Sequence, residues 1–268
     1  MYKAVFIDMD GTLLKKDHTI SEVNKNALQR LLDKGILVVP ISARPLHGLL
    51  PITQQVVPSS MPVVSLNGGY IYHNDEIIFQ ASVGLNEVAA IHDELHKQAV
   101  SVIYYSQMNW FATENTSATT KEQRITEVAI QIQPIEQIIG GWNDTNTGPN
   151  KILIVGDKDL IIAVENKLKG LYHGKLNIFK SQSSYLELMH LQASKTKAIQ
   201  FLMNQYGIVQ EEVIAIGDNY NDMEMIEYAG VGVAMGNAPE EIKKVADFVT
   251  DTNHNDGVAK ALAQYFPY

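Results

Sequence analysis

FIDMDGTLL, residues Phe6 to Leu14, sets an apolar run that reads as a buried strand against two aspartates one residue apart, then turns at once through Gly-Thr. Buried carboxylates are rarely left without partners, and two in one place repel. In an extended backbone residues two apart point the same way, so Asp8 and Asp10 both reach one side of the strand end. Gly11 permits a sharp turn, and the Thr12 hydroxyl can hydrogen-bond back into the loop. A lone Asp at a strand end is an ordinary turn former. A pair asks for a neutralising partner.

Outward from this stretch the pattern is wound. A helix starts at the capping Ser21, carries Val23, Ala27, Leu28, Leu31 and Leu32 at helical spacing, and stops at Gly35. ILVVPIS is a second buried strand ending at Ser42, Pro45 opens another helix, and MPVVSLNGG is a third strand ending at Asn67. YIYHNDEIIF reads as a hairpin turning at Asn74-Asp75. The middle of the chain differs: a helix over 86–98, two strands around SVIYYSQMNWFATE, a Thr-rich helix near 117–128, then a polar loop, GGWNDTNTGPN. A strand (KILIV), a helix over 159–169 and a strand (LNIF) follow, as in a smaller α+β unit. The wound order then resumes with SYLELM as a strand and a helix from Ser194 to Gly207. EVIAIGD is the next strand, followed by a helix ended by Gly230, the strand VGVAM and a helix opened by Pro239. The expected fold is α/β, a doubly wound parallel-sheet Rossmann-like core over 1–82 and 184–268 with an inserted α+β cap domain over 83–183.

Composition narrows the function. The 268 residues suffice for one large domain or two smaller ones, at 46% hydrophobic and 19% charged. A net charge of −9 argues against nucleic-acid binding, which needs a basic face, and requires local positive charge wherever an anion binds. With no cysteine, disulfides, thiolate chemistry and Cys-ligated metals are excluded. No signal peptide and no run of membrane-spanning length is read, so no membrane partner is expected and the cytoplasm is the expected location.

In wound sheets ligands sit beyond the carboxyl ends of the strands. The strand ends Asp8, Ser42, Asn67 and Asp218 are all polar and can face one crevice. Asp222 follows Asp218 by four residues and is also an ordinary helix-start residue. Convergence of Asp8, Asp10 and Asp218 calls for a hard divalent cation, and oxygen donors without nearby His or Cys favour Mg²⁺ over zinc. Lys195 stands in the first turn of its helix, where the dipole disfavours a cation unless an anion binds there. Ser42 and the amide after it offer donors to that anion, and Arg44 and Asn67 are candidate substrate contacts. No GxxxxGK[ST] loop is present. Together these residues suggest phosphate, metal and a carboxylate nucleophile.

The four stretches resemble the haloacid dehalogenase (HAD) superfamily. DMDGT is similar to its DxDGT motif, Ser42 in PISARP to the strand-ending Ser/Thr, Lys195 in ASKTKAI to the third motif, and GDNYNDMEM to GDxxxD in its GDNxNDxxM form. AGVGVAMGNA is typical of Cof-type phosphatases with a type IIB cap. The chain departs in carrying Ser42-Ala43-Arg44 for the usual Thr-Gly-Arg, and Thr196 for the frequent Gly after the lysine. The resemblance implies that Asp8 attacks phosphorus to give an aspartyl-phosphate and that Asp10 is the general acid and base. It implies Mg²⁺ held by the carboxylates of Asp8 and Asp218 and the backbone carbonyl of Asp10. Lys195 would hold Asp8 and the phosphate, with Ser42, Asn221 and the amides of Met9 and Ala43 adding hydrogen bonds. Asp222 would support the metal through water or position Lys195, and the cap would close over the site.

The expected activity is Mg²⁺-dependent hydrolysis of small phosphorylated metabolites, sugar phosphates first. The alternatives are a phosphomutase or phosphotransferase on the same core, or a non-catalytic regulator that binds phosphometabolites. Dehalogenation fits poorly because those enzymes lack the second aspartate, and ion pumping needs membrane spans. Oligomeric state is not legible.

Overall fold

The computed structural model describes residues 1–126 and 128–267. Strand β1 (Ala4–Asp8) is buried along its whole length, as a strand covered on both faces must be. The Ser21 side chain accepts from the Asn24 amide and so caps α1 (Glu22–Asp33), and the chain turns through left-handed Gly35 into β2 (Leu37–Ile41). Helix α2 (Leu46–Thr53) begins after Pro45 and leads to β3 (Val63–Ser65). Strands β4 (Tyr70–His73) and β5 (Glu76–Gln80) are joined through Asn74 and Asp75, both at positive φ, the chemistry of a tight hairpin turn.

The next elements are α3 (Leu85–Leu95), β6 (Ser101–Ser106), β7 (Asn109–Ala112), α4 (Ser117–Thr126) and β8 (Ile130–Ile132). They are followed by α5 (Ile135–Thr145), β9 (Lys151–Val155), α6 (Lys158–Leu171), β10 (Leu176–Gln182) and β11 (Tyr185–His190). The chain continues through α7 (Lys195–Tyr206), β12 (Val213–Gly217), α8 (Met223–Tyr228), β13 (Val231–Ala234), α9 (Glu240–Val245), β14 (Phe248–Val249) and α10 (Gly257–Tyr265). Two units result, one of Met1–Phe79 with Ser194–Tyr268 and one of Gln80–Ala193.

The first unit holds an eight-stranded sheet in the order β14-β13-β12-β1-β2-β3-β4-β5. Pairing is parallel from β14 to β3, and β3 pairs antiparallel with β4. Alternation along β1 sends Val5 and Ile7 into one core with Leu28, Leu31 and Val258 of α1 and α10. It sends Ala4 and Phe6 into another with Ile199, Leu202 and Met225 of α7 and α8. Helices therefore cover both faces. Because β1 lies between β2 and β12, the order of winding reverses at its carboxyl end, which is where such sheets open a binding crevice.

The second unit holds a six-stranded sheet, β10-β11-β9-β6-β7-β8. One face packs on α3, α5 and α6 through Ile91, Trp142 and Leu168, and the other gathers Ile103, Tyr105, Trp110 and Tyr185.

Two readings change. SYLELM, assigned by pattern to the resumed core from residue 184, is β11 of the second sheet, paired antiparallel with β10 and β9. Ser183-Ser184 lies between β10 and β11, and the apolar run after that turn carries no mark of which sheet it joins. The loop GGWNDTNTGPN is helical as far as Thr145, because Ile138 and Trp142 bury one face of α5 and outweigh the Gly140-Gly141 pair. β8 had no sequence signal of its own. Glu127, inside the expected Thr-rich helix, lies outside the described residues.

Candidate active site

Strand β1 delivers Asp8 to its carboxyl end, 5% exposed. The chain leaves extended geometry there: the amides of Leu13 and Leu14 turn back to the carbonyls of Asp8 and Met9. Gly11 stands at φ +84°, and a Cβ on it would lie 2.3 Å from Asp218 Oδ2, so no larger residue fits that bend. The loop's second contact with Asp218 is the Thr12 hydroxyl, which donates to Oδ1 at 2.9 Å. Thr12 thus reaches across 206 positions instead of back into its own loop.

Lys195 opens α7 with Ser194 as its cap and is 2% exposed. Its ammonium donates to Asp8 Oδ1 and Asp222 Oδ1, each at 2.5 Å. The other oxygen of Asp222 accepts from the amides of Asp218 at 2.9 Å and Asn219 at 3.0 Å. Both Asp222 oxygens are therefore committed, one to Lys195 and one to the loop that presents Asp218. Gly217 makes this possible, since a Cβ there would sit 2.5 Å from that of Asp222. Asn237 donates to the Gly11 carbonyl at 2.9 Å and to Asp218 Oδ2 at 3.2 Å, while its own Oδ1 accepts from the Asn253 amide.

The electrostatics follow. Asp8, Asp218 and Asp222 each place a carboxylate oxygen within 4.8 Å of the others. Burial first, then the charge of Asp222, pushes the Asp8 carboxyl well above the usual range, and Lys195 pulls it back only in part. Burial raises Asp218 to about 6, against the Thr12 hydrogen bond that lowers it. Burial opposes the Lys195 ammonium too, but the charges of Asp222 and Asp8 outweigh it and keep the lysine protonated. Three carboxylates around one ammonium leave a surplus of negative charge, supplied entirely by oxygen donors. A hard divalent cation fits that donor set.

Asp10 is placed differently from the expectation. Its carboxylate stands outside the three-carboxylate cluster, with the side chain 46% exposed. Asp222 takes the third place instead. The alternation that would align Asp10 with Asp8 holds only within β1, which ends at Asp8. Arg44 grips Asp10 with both arms, Nε to Oδ2 at 2.7 Å and Nη2 to Oδ1 at 2.6 Å.

The remaining expected residues gather at neighbouring strand ends. Ser42 is buried beyond β2, and its Oγ accepts from the Arg44 amide at 3.1 Å. Asn67 adopts a left-handed conformation, donates its amide to the Ser42 carbonyl and accepts from Asn221 Nδ2 at 3.0 Å. Met9 is packed in the core, so only its backbone is available, and Ala43 is exposed. Gly68, at φ +90°, lets this turn lie against the start of α7, where a Cβ would come 2.1 Å from the Ser194 carbonyl oxygen. Sequence reasoning missed Asn237 as a site residue, although it lies within the AGVGVAMGNA stretch, in the turn after β13. It also missed His18, whose Nδ1 lies 2.9 Å from Arg44 Nη2.

The family profile described as haloacid dehalogenase-like hydrolase matches residues 5–262. A Haemophilus influenzae protein named "Putative phosphatase" is 38% identical over 100% of this chain and 99% of its own length. A 5-amino-6-(5-phospho-D-ribitylamino)uracil phosphatase of Bacillus subtilis is 27% identical over 98% of this chain and 97% of its own. The crystal structure of a haloacid dehalogenase-like hydrolase from Bacteroides thetaiotaomicron superposes with a TM-score of 0.88 at 33% identity, covering 99% of this chain and 100% of that one. Among the described residues no helix is long and apolar enough to cross a membrane.

Proposed function

This chain belongs to the haloacid dehalogenase-like hydrolases, and on that premise we propose a magnesium-dependent phosphatase that hydrolyses small phosphorylated metabolites, sugar phosphates first, through an aspartyl-phosphate on Asp8. The observation that carries the reading is the buried Lys195, bridging Asp8 and Asp222 at the carboxyl end of the central strand. A carboxylate fixed by a lysine beside two further acids is a nucleophile held ready for an anion. The Bacillus subtilis relative, named for a phosphorylated ribitylamino compound, supports a substrate of metabolite size.

Asp8 attacks phosphorus with one carboxylate oxygen as the bond to the ester oxygen breaks. That oxygen departs with the bonding pair and takes the proton carried by the Asp10 carboxyl. Water then attacks phosphorus and yields its proton to Asp10, the bond from Asp8 to phosphorus breaks, and phosphate leaves with both carboxyl groups restored. Lys195 orients Asp8 and offers positive charge to the phosphate oxygens. Asp222 positions Lys195 with one oxygen and the amides of the Asp218 loop with the other. Ser42, Asn67, Asn221 and the amides of Met9 and Ala43 supply polar contacts around the phosphate.

Mg²⁺ fits the oxygen-only donors and the negative surplus described above. Asp8 and Asp218 would hold it with the Asp10 backbone carbonyl, and bound there it supplies neutralising charge to the phosphoryl group.

The test is phosphate release from an aryl phosphate and a panel of sugar and nucleotide monophosphates, with Mg²⁺ and with EDTA. Release that needs Mg²⁺ and disappears in Asp8→Asn supports the reading. Release that survives either change overturns it.

A further inference from the structure

Within the first unit, the loop after the Asp8–Leu14 turn closes on itself. The Lys15 amide donates to the Thr19 carbonyl, and the His18 amide to that of Lys15. Asp17 Oδ1 accepts from both the amide and the hydroxyl of Thr19. At its tip His18 takes φ +60°, a left-handed conformation that costs a residue with a Cβ. The result of that conformation is specific. The imidazole Nδ1 is brought to 2.9 Å from Arg44 Nη2, the same nitrogen that donates to Asp10 Oδ1. Nη2 carries two hydrogens, so one can go to Asp10 and the other to His18. The acceptor on His18 thereby fixes the rotation of the guanidinium, and the guanidinium fixes both oxygens of Asp10. All three side chains are at least a quarter exposed, where an ion pair adds little stability, so what the His18 contact contributes is geometry more than stability.

We propose that His18 is a positioning residue for the acid–base step: through Arg44 it sets the Asp10 carboxyl in line with the leaving oxygen. The inference rests on the phosphatase reading above. It bears on the one event that Asp10 serves in the first step, transfer of its proton to the ester oxygen as that oxygen departs with the bonding pair. An aryl oxygen leaves readily as the anion and gains little from that proton. An alkyl oxygen depends on it, since proton transfer from a positioned acid contributes on the order of 10²–10⁴-fold. Arg44 is thereby a scaffold for Asp10 in this state and not an open substrate contact.

Two variants isolate the acceptor from the backbone. His18→Gly keeps the left-handed conformation and removes the imidazole. His18→Asn tolerates the same conformation and returns a short side-chain acceptor. Turnover of an alkyl phosphate such as glycerol 3-phosphate and of 4-nitrophenyl phosphate is measured with Mg²⁺ for each protein, alongside thermal midpoints. The expected result is that His18→Gly lowers kcat on the alkyl ester at least tenfold more than on the aryl ester, and that His18→Asn recovers most of that difference. Equal losses on the two esters, as a merely structural role would give, overturn the proposal, as does no loss on either. A selective loss that Asn fails to reverse overturns the acceptor role. Wild-type protein inactive on both esters and on the sugar and nucleotide monophosphates would instead overturn the phosphatase reading itself, and the inference with it.

Discussion

Asp222 binds Lys195 at 2.5 Å through Oδ1 while its Oδ2 closes the amides of the Asp218 loop, so one fully buried carboxylate holds the buried lysine and shapes the loop of a candidate metal ligand. Removing it leaves an ammonium short of one partner and two amides without theirs. Breaking a buried pair in this way costs about 3–5 kcal/mol, and Asp222→Ala is expected to lose that much in urea unfolding. A loss under about 1 kcal/mol would contradict the structural role given to it.

Asp218 carries the opposite sign. In the metal-free protein its carboxyl is raised to about 6 by burial, above the ordinary value of 3.8. A raised acid favours the folded state below its unfolded pKa, and that contribution is lost as pH rises through about 6. Asp218→Asn is therefore expected to melt higher than wild type in EDTA at pH 7.5, with the advantage shrinking as pH falls toward 4. The same variant is expected to lose the stabilisation that Mg²⁺ gives the wild type, since a ligand stabilises only the state it binds. Melting curves with EDTA and with Mg²⁺ check both halves; a variant no more stable than wild type at pH 7.5 would remove the first.

Two glycines with similar positive φ separate close approach from backbone preference. Gly68 has the Ser194 carbonyl where a Cβ would go, whereas Gly35 has nothing within 4 Å. Gly35→Ala is expected to cost about 1 kcal/mol, the left-handed penalty alone. Gly68→Ala must also displace the start of α7, which carries Lys195, and is expected to cost more than about 2 kcal/mol and to lower turnover. Equal costs would show that the packing of this turn on α7 is looser than described.

Asn237 links the Gly11 carbonyl to Asp218 without belonging to the acidic cluster. Partners of metal ligands commonly contribute 10–100-fold to affinity. Asn237→Ala is expected to weaken Mg²⁺ binding about tenfold, read as a shift in the Mg²⁺ concentration that half-restores activity. An unshifted midpoint would assign Asn237 to loop structure alone.

The wound core was legible because its signals are local: caps at Ser21 and Ser194, a hairpin turn at Asn74-Asp75, and buried strands ending in polar residues. The meeting of Asp8 and Asp218 was legible because strand ends in a wound sheet share one edge, whereas Lys195 and Asp222 were tied to them only by the family resemblance. Asp10 stands outside the three-carboxylate cluster because side-chain alternation stops where β1 stops. β11 was given to the wrong sheet because a buried run looks the same in either, and only pairing decides. Asn237 and His18 stayed hidden because each acts on a residue far away in sequence, Gly11 in one case and Arg44 in the other.

The central claim is that phosphate passes through a covalent bond to Asp8, and trapping that bond tests it most directly. Asp10→Asn leaves the nucleophile in place and removes the group that activates water, so the intermediate should accumulate. The variant is mixed with an aryl phosphate and Mg²⁺, quenched in acid and weighed intact and as peptides. The expected result is protein heavier by one phosphoryl group, mapped to the peptide that contains Asp8 and absent from Asp8→Asn. Phosphate release by the wild type with no phosphorylated protein in the Asp10→Asn sample, or a phosphoryl group mapped elsewhere, would contradict it.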